Sequence, residues 1–226
     1  MKTYGSFCPI AKASEILAER WTLLVVRDLL LGARRFNDLH RGVPNMSPTL
    51  LSKRLQTLEA SGLVVRSMVG GNPEYLPTKA CEDLRPIIEA IGHWGQRWVR
   101  SQLEREELNV GELMWYIRRH FVRDKLPRQR IVLQIDITDV RRLGRWWLIV
   151  EPDGVDLCVD DPGHEIDIAL SVKLRTLAQL YIGDETLERA VIRGDAKLNG
   201  PRALVRSMPH WFARSKFASD NPMQET

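Results

Sequence analysis

The sequence predicts a mainly α front domain with a β-hairpin wing, followed by an α+β rear domain. Helical periodicity with clear start and stop signals dominates the first half of the chain. From Gly111 onward, the two-residue alternation typical of strands is interleaved with helical segments. A chain of 226 residues fits one large domain or two small ones. We expect domains at 1–107 and 108–226.

The stretch from Arg34 to Arg66 holds the most specific local pattern, a helix with both ends marked. Ser47 is a favourable N-cap, and Pro48 suits the first helical position, where a missing N–H costs nothing. Gly62 supplies the stop, because glycine tolerates the left-handed conformation that ends helices. We therefore predict a helix over Pro48–Ser61, called the recognition helix below.

The recognition helix is amphipathic. Its apolar face repeats at helical spacing and consists of Leu51, Leu55 and Leu58. Its other face carries groups that hydrogen-bond to base edges or phosphates, namely Thr49, Ser52, Lys53 and Gln56. Such a helix, set after a short helix and a turn, suits the major groove of DNA. The same side chains are also ordinary solvent-facing residues.

The basic charge of the chain is concentrated in this stretch. Residues 34–66 contain six Lys/Arg and two Asp/Glu, a net charge of +4 that equals the formal charge of the whole chain. Phosphate contact is the natural use of such a patch, although a solvated basic face is the alternative. Residues 108–226 are balanced, with 18 basic and 17 acidic side chains.

The elements around the recognition helix complete the front domain. We predict helices at Ile10–Leu17, Thr22–Leu31 and Phe36–His40, strands at Leu63–Met68 and Glu74–Leu76, and a helix from Thr78 to about Glu107 with a kink before Pro86. Trp21 and Phe36 are expected in the core. This order of elements is that of a winged helix-turn-helix domain.

The last of these helices has an apolar stripe. It consists of Leu84, Ile87, Ile88, Ile91, Trp94 and Trp98. A stripe at this spacing either packs into a core or forms a dimer seam, and the sequence leaves both open. Homodimerisation is therefore an expectation.

Several chemistries lack any local motif. The three cysteines and five histidines are scattered, and no phosphate-binding loop, nucleophile elbow or metalloprotease motif occurs. We expect no enzyme activity, no metal and no cofactor. The sequence contains neither a membrane-spanning run nor an apolar N-terminal leader, which predicts a cytoplasmic protein with no membrane partner.

In the rear half we predict helices at Glu112–Val122, Asp184–Ala190 and Pro201–Ala213, a strand over residues 131–138, a hairpin from Arg145 to Val159, a strand passing into a helix over Ile166–Tyr181, and a strand over Val191–Leu198. Ile131, Leu133, Ile135 and Ile137 should face one way, and Gln134, Asp136 and Thr138 should face the other.

Residues 8–80 resemble the HxlR-type family of bacterial winged-helix transcriptional regulators. The matching segments are CPIAKASEIL, ERWTLLVVRDLLLGARRFNDLHRGVPNMSPTLLSKRLQTLEASGLVVR and YLPTKA. The resemblance implies a homodimeric repressor or activator that binds double-stranded DNA with its recognition helix.

The resemblance also implies which residues contact DNA. Bases or nearby phosphates would be contacted by Ser47, Thr49, Ser52, Lys53 and Gln56, and the backbone by Arg34, Arg35 and Arg54. The wing departs from the family habit, because its tip from Met68 to Asn72 is uncharged and Arg66 lies only at its base.

Cys8 occupies the place where some members of this family sense oxidants or electrophiles. Lys12, one helical turn further on, is placed to stabilise a thiolate there. Cysteine also serves as a small buried hydrophobe, and the sequence does not separate the two roles.

Residues 111–218 resemble the sterol-carrier-protein type of α/β domain, in which helices cover one face of a five-stranded sheet. The segments are WLIVEPDGVDLC, ALSVKLRTLAQLYIGD and AVIRGDAKLNGPRALVRSMPHWF. The resemblance implies a pocket for a small apolar ligand, lined from the set Leu148, Val150, Leu157, Leu177, Tyr181, Trp211 and Phe212. A plain core would use the same residues.

Two functions follow from these expectations. The first is a DNA-binding regulator whose rear domain senses a small apolar molecule or supports dimerisation. The second is a lipid-binding carrier whose front domain only mediates association. The charge excess and outer face of the recognition helix favour the regulator, because a carrier needs neither.

Overall fold

The computed structural model describes residues 3–99 and 108–218. They separate into two compact units between Gly92 and His93. We call these the front unit and the rear unit. The domain boundary expected from the sequence, between 107 and 108, stays a prediction.

The front unit has the winged helix-turn-helix order of elements. Its helices are α1 (Pro9–Leu17), α2 (Thr22–Leu30), α3 (Phe36–Gly42), α4 (Pro48–Ala60), α5 (Lys79–Glu82) and the part of α6 (Arg85–Trp98) that ends at Gly92. Its strands β1 (Val64–Val69) and β2 (Asn72–Pro77) pair antiparallel as the wing, with Val64 opposite Pro77 and Val69 opposite Asn72. The winged helix fold predicted from the sequence is therefore present.

The recognition helix, α4, begins and ends where its local signals place it. The Ser47 hydroxyl accepts a hydrogen bond from the Leu50 N–H at 3.3 Å, and Pro48 is the first helical residue. Gly62 has a φ of +72°, the left-handed conformation that ends the helix. The predicted apolar face is at most 1% exposed and packs in the core of the front unit.

The predicted long helix after the wing is interrupted. The chain forms α5, passes through Asp83 and Leu84, and resumes as α6 with Pro86 as its second residue. Proline is tolerated in the first turn but cannot donate in a helix interior, so the break precedes it. The part of the predicted helix over residues 100–107 lies outside the described residues.

Helices α2 and α3 approach closely at Gly42. The Asp28 side chain is fully buried there, and a Cβ placed on Gly42 would lie 2.1 Å from Asp28 Oδ2. Arg27 Nη2 lies 3.1 Å from the same carboxylate oxygen and donates to the Gly42 carbonyl at 3.0 Å. The packing that orients α3 ahead of the recognition helix thus requires a residue without a side chain.

The rear unit is an α+β unit with a five-stranded sheet. Its strands are β3 (Ile131–Ile137), β4 (Arg145–Glu151), β5 (Gly154–Cys158), β6 (Ile168–Val172) and β7 (Ala196–Asn199), in the order β5-β4-β3-β6-β7. Strands β3 and β6 are parallel, and the other neighbours are antiparallel.

Helices cover one face of this sheet. They are α7 (Val110–Arg119), α8 (Leu174–Ile182), α9 (Leu187–Ile192) and α10 (Arg202–Trp211), and a 3₁₀ turn spans Arg123–Lys125. The four alternating residues predicted for β3 are all buried in a core shared with α7, α8 and α10. The alternation predicted from the sequence is therefore confirmed.

The predicted strand over Val191–Leu198 is wrong in its first half. Val191 and Ile192 end α9, and β7 begins only at Ala196. Gly194 has a φ of +77°, and the Asp195 carboxylate accepts hydrogen bonds from Lys173 and Arg193. Ile192 is 85% exposed, so its apolar character did not reflect burial.

We predict that Gly42→Ala lowers the free energy of unfolding of the front unit by about 1–3 kcal/mol, because the added methyl group overpacks against Asp28. Urea titration followed by circular dichroism measures the change. The control is Gly95→Ala in the part of α6 that belongs to the rear unit, where a Cβ would meet nothing within 4 Å, so the free energy of unfolding of the front unit should not fall. Equal urea midpoints for the two variants would contradict the proposed packing constraint.

Candidate nucleic-acid interface

The polar face of the recognition helix is open to solvent. Thr49, Ser52, Lys53 and Gln56 are all exposed, while the opposite face is buried. Ser47 is also exposed, although its hydroxyl oxygen is engaged by the Leu50 N–H. The hydroxyl proton of Ser47 can still be donated. The sequence-predicted face is thus available as one surface.

Arg54 does not lie on that surface. It is 8% exposed, and its Nη2 donates to Glu19 Oε2 at 2.9 Å and to the Arg20 carbonyl at 3.3 Å. The Arg54 guanidinium therefore binds at the corner between α1 and α2, and its expected role as a phosphate contact stays a prediction. The signal was present in the sequence, since residues 51, 54, 55 and 58 share one helical stripe.

Arg34 also has a structural task. Its Nη1 donates to the Leu29 carbonyl at 2.7 Å and to the Ala33 carbonyl at 3.1 Å, where α2 has ended. Its own carbonyl accepts from the Tyr75 N–H of the wing at 2.8 Å. Helix ends leave carbonyls without intrahelical partners, and a nearby cation satisfies them. The Arg34 guanidinium is therefore hydrogen-bonded within the front unit.

Arg35 and Arg66 remain accessible. The Arg35 side chain is 60% exposed, although its Nε forms an ion pair with Glu74 Oε1 at 3.3 Å. Arg66 is exposed on β1, opposite Tyr75. The wing surface beyond Arg66 is apolar, with Val65, Met68 and Val69 all exposed. An uncharged wing tip, as expected from the sequence, offers phosphates no cation.

The usable positive charge is smaller than the sequence count. Arg54 pairs with Glu19, Arg35 with Glu74, and Arg41 with Asp38 at 3.2 Å. Among the described residues, Lys53 and Arg66 have no ion-pair partner. A surface with two unpaired cations and several neutral donors favours hydrogen-bonding contacts over strong electrostatic attraction.

The ion pair with Arg54 alters the titration of the Glu19 carboxyl. A hydrogen bond from Arg54 is the main cause that lowers the pKa of the Glu19 carboxyl below its ordinary value near 4.5, and the charges of Arg54 and Lys53 act in the same direction. Glu19 precedes Trp21, whose φ of +77° is uncommon for a residue with a side chain.

Cys8 lies half-buried at the N-cap of α1. The ammonium of Lys12 forms an ion pair with Glu15 Oε1 at 3.3 Å. Lys12 was expected to stabilise a Cys8 thiolate, and in the structure it pairs with this carboxylate instead. A redox role of Cys8 stays a prediction. Burial raises the pKa of the Cys81 thiol to about 11, which keeps that cysteine protonated and unreactive at neutral pH.

The residues predicted to line a ligand pocket form mostly core. Leu148, Val150 and Leu177 are fully buried, and Leu157, Tyr181 and Trp211 pack in the same cluster. Phe212 instead lines a cavity of about 170 Å³ beside α8, α9 and α10. The other six residues lie in or against this core, and their role in lining a ligand pocket stays a prediction.

Residues 3–99 and 108–218 contain no group of three or more His, Cys, Asp or Glu side chains arranged to hold a metal ion. Within the same ranges, no helix combines the length and apolarity needed to cross a membrane.

The front unit matches known proteins in sequence. The family model described as HxlR-like helix-turn-helix matches residues 16–103. The "Uncharacterized HTH-type transcriptional regulator YvaP" of Bacillus subtilis (strain 168) is 38% identical over 99 residues, which is 42% of this chain and 92% of that protein. The chain belongs to the HxlR-like helix-turn-helix family.

Further relatives are of the same kind. The "Uncharacterized HTH-type transcriptional regulator YkvN" of B. subtilis (strain 168) is 32% identical over 106 residues, covering 46% of this chain and 90% of the relative. The solved reduced form of the transcriptional regulator YodB from B. subtilis is 24% identical over 41% of this chain and 95% of that one, with a TM-score of 0.37. As an HxlR-like protein, the chain is a DNA-binding transcriptional regulator.

We predict that Glu19→Gln weakens the acid sensitivity of the front unit. Because the folded-state pKa of Glu19 is lowered, its contribution to stability is present above its ordinary pKa and is lost as pH falls through the lower folded value. Urea midpoints at about pH 7 and about pH 3 should therefore differ less in the variant than in the wild type.

The control for this prediction is Glu59→Gln on the recognition helix. Glu59 is exposed, and within the described ranges it has no ion-pair partner. Its replacement should leave the difference between the two midpoints unchanged. If Glu19→Gln and Glu59→Gln behave alike, the Arg54–Glu19 pair does not contribute to stability.

Proposed function

We propose that this HxlR-like regulator binds a two-fold symmetric DNA site as a homodimer and reads base edges with its recognition helix. The supporting observation is the division of that helix into a buried leucine face and an exposed polar face. The proposed base contacts are Thr49, Ser52, Lys53 and Gln56, with Ser47 at the helix start. Hydroxyl, amide and ammonium groups are the donors and acceptors that the major groove code requires.

The proposed phosphate contacts are Arg35 and Arg66. Both side chains are exposed, and they lie on the elements that flank the recognition helix in sequence, at the start of α3 and on β1. Arg34 and Arg54 are left out of this set, because their guanidinium groups are hydrogen-bonded within the front unit. Phosphate contacts fix the register on the duplex, while the helix face supplies specificity.

Homodimerisation is proposed through α6. Ile87, Ile91, Trp94 and Trp98 follow one another at helical spacing and are between 45% and 71% exposed. A contiguous exposed apolar stripe is unfavourable in water and marks an association surface. A second copy of the chain would cover the stripe and place two recognition helices ~34 Å apart, one turn of DNA.

The rear unit is proposed to be a sterol-carrier-protein-like domain, within residues 108–226, that senses a small apolar molecule. The support is a five-stranded sheet with helices on one face, together with the cavity beside α8, α9 and α10. Ligand binding shifts DNA affinity only when the ligand prefers one of two conformations of the dimer. The sign of regulation follows from which conformation the ligand prefers.

We predict that Gln56→Ala and Lys53→Ala weaken DNA binding in different ways. Loss of a base contact by Gln56→Ala should cost about 1–3 kcal/mol and relax the preference at one base pair. Lys53 is a cation without an ion-pair partner among the described residues, so Lys53→Ala should in addition weaken binding to all sequences and reduce the salt slope by about 1. Mobility shifts on a site selected by the full-length protein from random DNA measure both effects.

The control for these variants is Lys197→Ala, which removes an exposed lysine from β7 of the rear unit. Its affinity and salt slope should equal those of the wild type. Wild-type binding by both recognition-helix variants would show that this face does not contact DNA.

We predict that Ile91→Glu converts the dimer into a monomer, because a carboxylate would be buried without a partner in the seam. Native mass spectrometry of the full-length protein reports the oligomeric state directly. Ile192→Glu is the matched control, since Ile192 is 85% exposed at the end of α9. A monomeric wild type, or a dimeric Ile91→Glu variant, would overturn the proposed seam.

A further inference from the structure

The rear unit contains a cavity of about 170 Å³ between the end of α8, the start of α9 and the end of α10. Its apolar wall consists of Leu170, Leu180, Leu187, Met208, Pro209 and Phe212. The polar groups at the cavity come from Glu185, Thr186, Glu188 and Arg214. The structure thus combines an apolar floor with a small polar rim.

The volume of the cavity limits what it can hold. An engineered apolar cavity of ~150 Å³ lined by aliphatic and aromatic side chains binds benzene and stays dry. The present cavity is slightly larger and resembles it only in its apolar wall, so one aromatic ring fits against that wall and a small substituent fits at the polar rim. A sterol or a long acyl chain has several times that volume and does not fit.

The rim charges select the substituent. The Glu185 carboxylate is satisfied, because it forms an ion pair with Arg193 Nη2 at 2.6 Å and accepts the Thr186 N–H at 2.9 Å. Glu188 and Arg214 are exposed and, in the described part of the chain, have no ion-pair partner. An anion is attracted by Arg214 and repelled by Glu188, and a cation experiences the reverse. A neutral hydroxyl group can donate to Glu188 and accept from Arg214.

The cavity wall leads to α6 within the rear unit. Phe212 and Arg214 belong to the segment 212–218 that follows α10. The Ser215 N–H of this segment donates to the Tyr181 carbonyl at 2.7 Å. The Phe217 ring then packs edge-on against the His93 ring of α6, with ring centroids 5.1 Å apart. A ligand that binds Arg214 therefore acts three residues before Phe217. Phe217 contacts α6, the proposed dimer helix.

We propose that this cavity binds a neutral molecule with a single aromatic ring and one hydroxyl group, a simple phenol, and that occupancy reaches α6 through segment 212–218. The site and ligand class follow from the cavity itself. The regulatory consequence rests on the proposed function, because it requires a dimer whose DNA affinity α6 can alter. Two separate measurements therefore test the two parts.

The first measurement is phenol binding to the full-length protein by isothermal titration calorimetry. Leu187→Trp fills the cavity and should weaken phenol binding at least about ten-fold. Leu198→Trp is the control, since Leu198 is also partly buried against the rear core but does not line the cavity. Absence of wild-type phenol binding, or equal binding by Leu187→Trp, overturns the site.

Benzene, benzoate and benzylamine test the ligand class in the same assay. Phenol should bind more tightly than all three in the wild type. In Glu188→Gln, Arg214 is the remaining rim charge without an ion-pair partner among the described residues, so the affinity for benzoate should rise relative to that for phenol. Glu165→Gln, outside the cavity, should leave the ratio of the two affinities unchanged. Preference of the wild type for benzoate, benzylamine or benzene overturns the hydroxyl assignment.

The second measurement is DNA affinity with and without saturating phenol. Because coupling is reciprocal, phenol should change the affinity of the wild type by roughly 5–150-fold and leave that of Leu187→Trp unchanged. Phenol binding without any change in DNA affinity overturns the route through segment 212–218 while the site stands. Absence of DNA binding by the protein alone overturns the proposed function instead.

Discussion

The ion pair between Arg54 and Glu19 fixes the recognition helix from its inner side. The helix would otherwise be held there by leucines alone, and apolar packing is not directional. The Arg54 guanidinium adds a directional bond to the corner between α1 and α2, where Trp21 adopts its left-handed conformation. The inner face of the helix is thus joined to this corner by a directional contact, while the polar face stays exposed.

The other arginines of the basic stretch extend the same principle. The Arg34 guanidinium donates to carbonyls at the end of α2, and the Arg34 carbonyl accepts from the Tyr75 N–H of the wing. Arg35 forms an ion pair with Glu74 on β2. These contacts join α2, α3 and the wing around the recognition helix. Arg34, Arg35 and Arg54, which resemble a phosphate-binding patch in the sequence, therefore all form hydrogen bonds or ion pairs within the front unit. Positive charge and DNA contact are not the same property in this unit.

The parts of the fold predictable from sequence are those with local causes. Ser47, Pro48 and Gly62 set the ends of the recognition helix through their own backbone preferences, so their positions needed no tertiary information. The charge of Arg54 alone suggests a phosphate contact, whereas its helical phase, shared with Leu51, Leu55 and Leu58, indicates its buried position. The partners of Arg34 include Leu29 of α2 and Tyr75 of the wing, and only the folded chain reveals them. In the rear unit, alternation located β3, but no pattern separates a core from a cavity. The cavity exists where α9 and α10 leave space beside Leu180, and that depends on packing.

The small number of unpaired cations among the described residues of each copy limits the DNA affinity of a single chain. Each phosphate neutralised by a cation releases counterions, and this term supplies most of the sequence-independent part of DNA binding. One copy offers Lys53 and Arg66 without ion-pair partners among its described residues, and Arg35 shares its charge with Glu74. A single front unit is therefore a weak electrostatic binder. Two copies double the contacts, and the second binding event becomes intramolecular, which raises affinity without any new residue. The proposed dimerisation through α6 would then be the step on which useful affinity depends, and a ligand signal that reached α6 would act on DNA binding at that step.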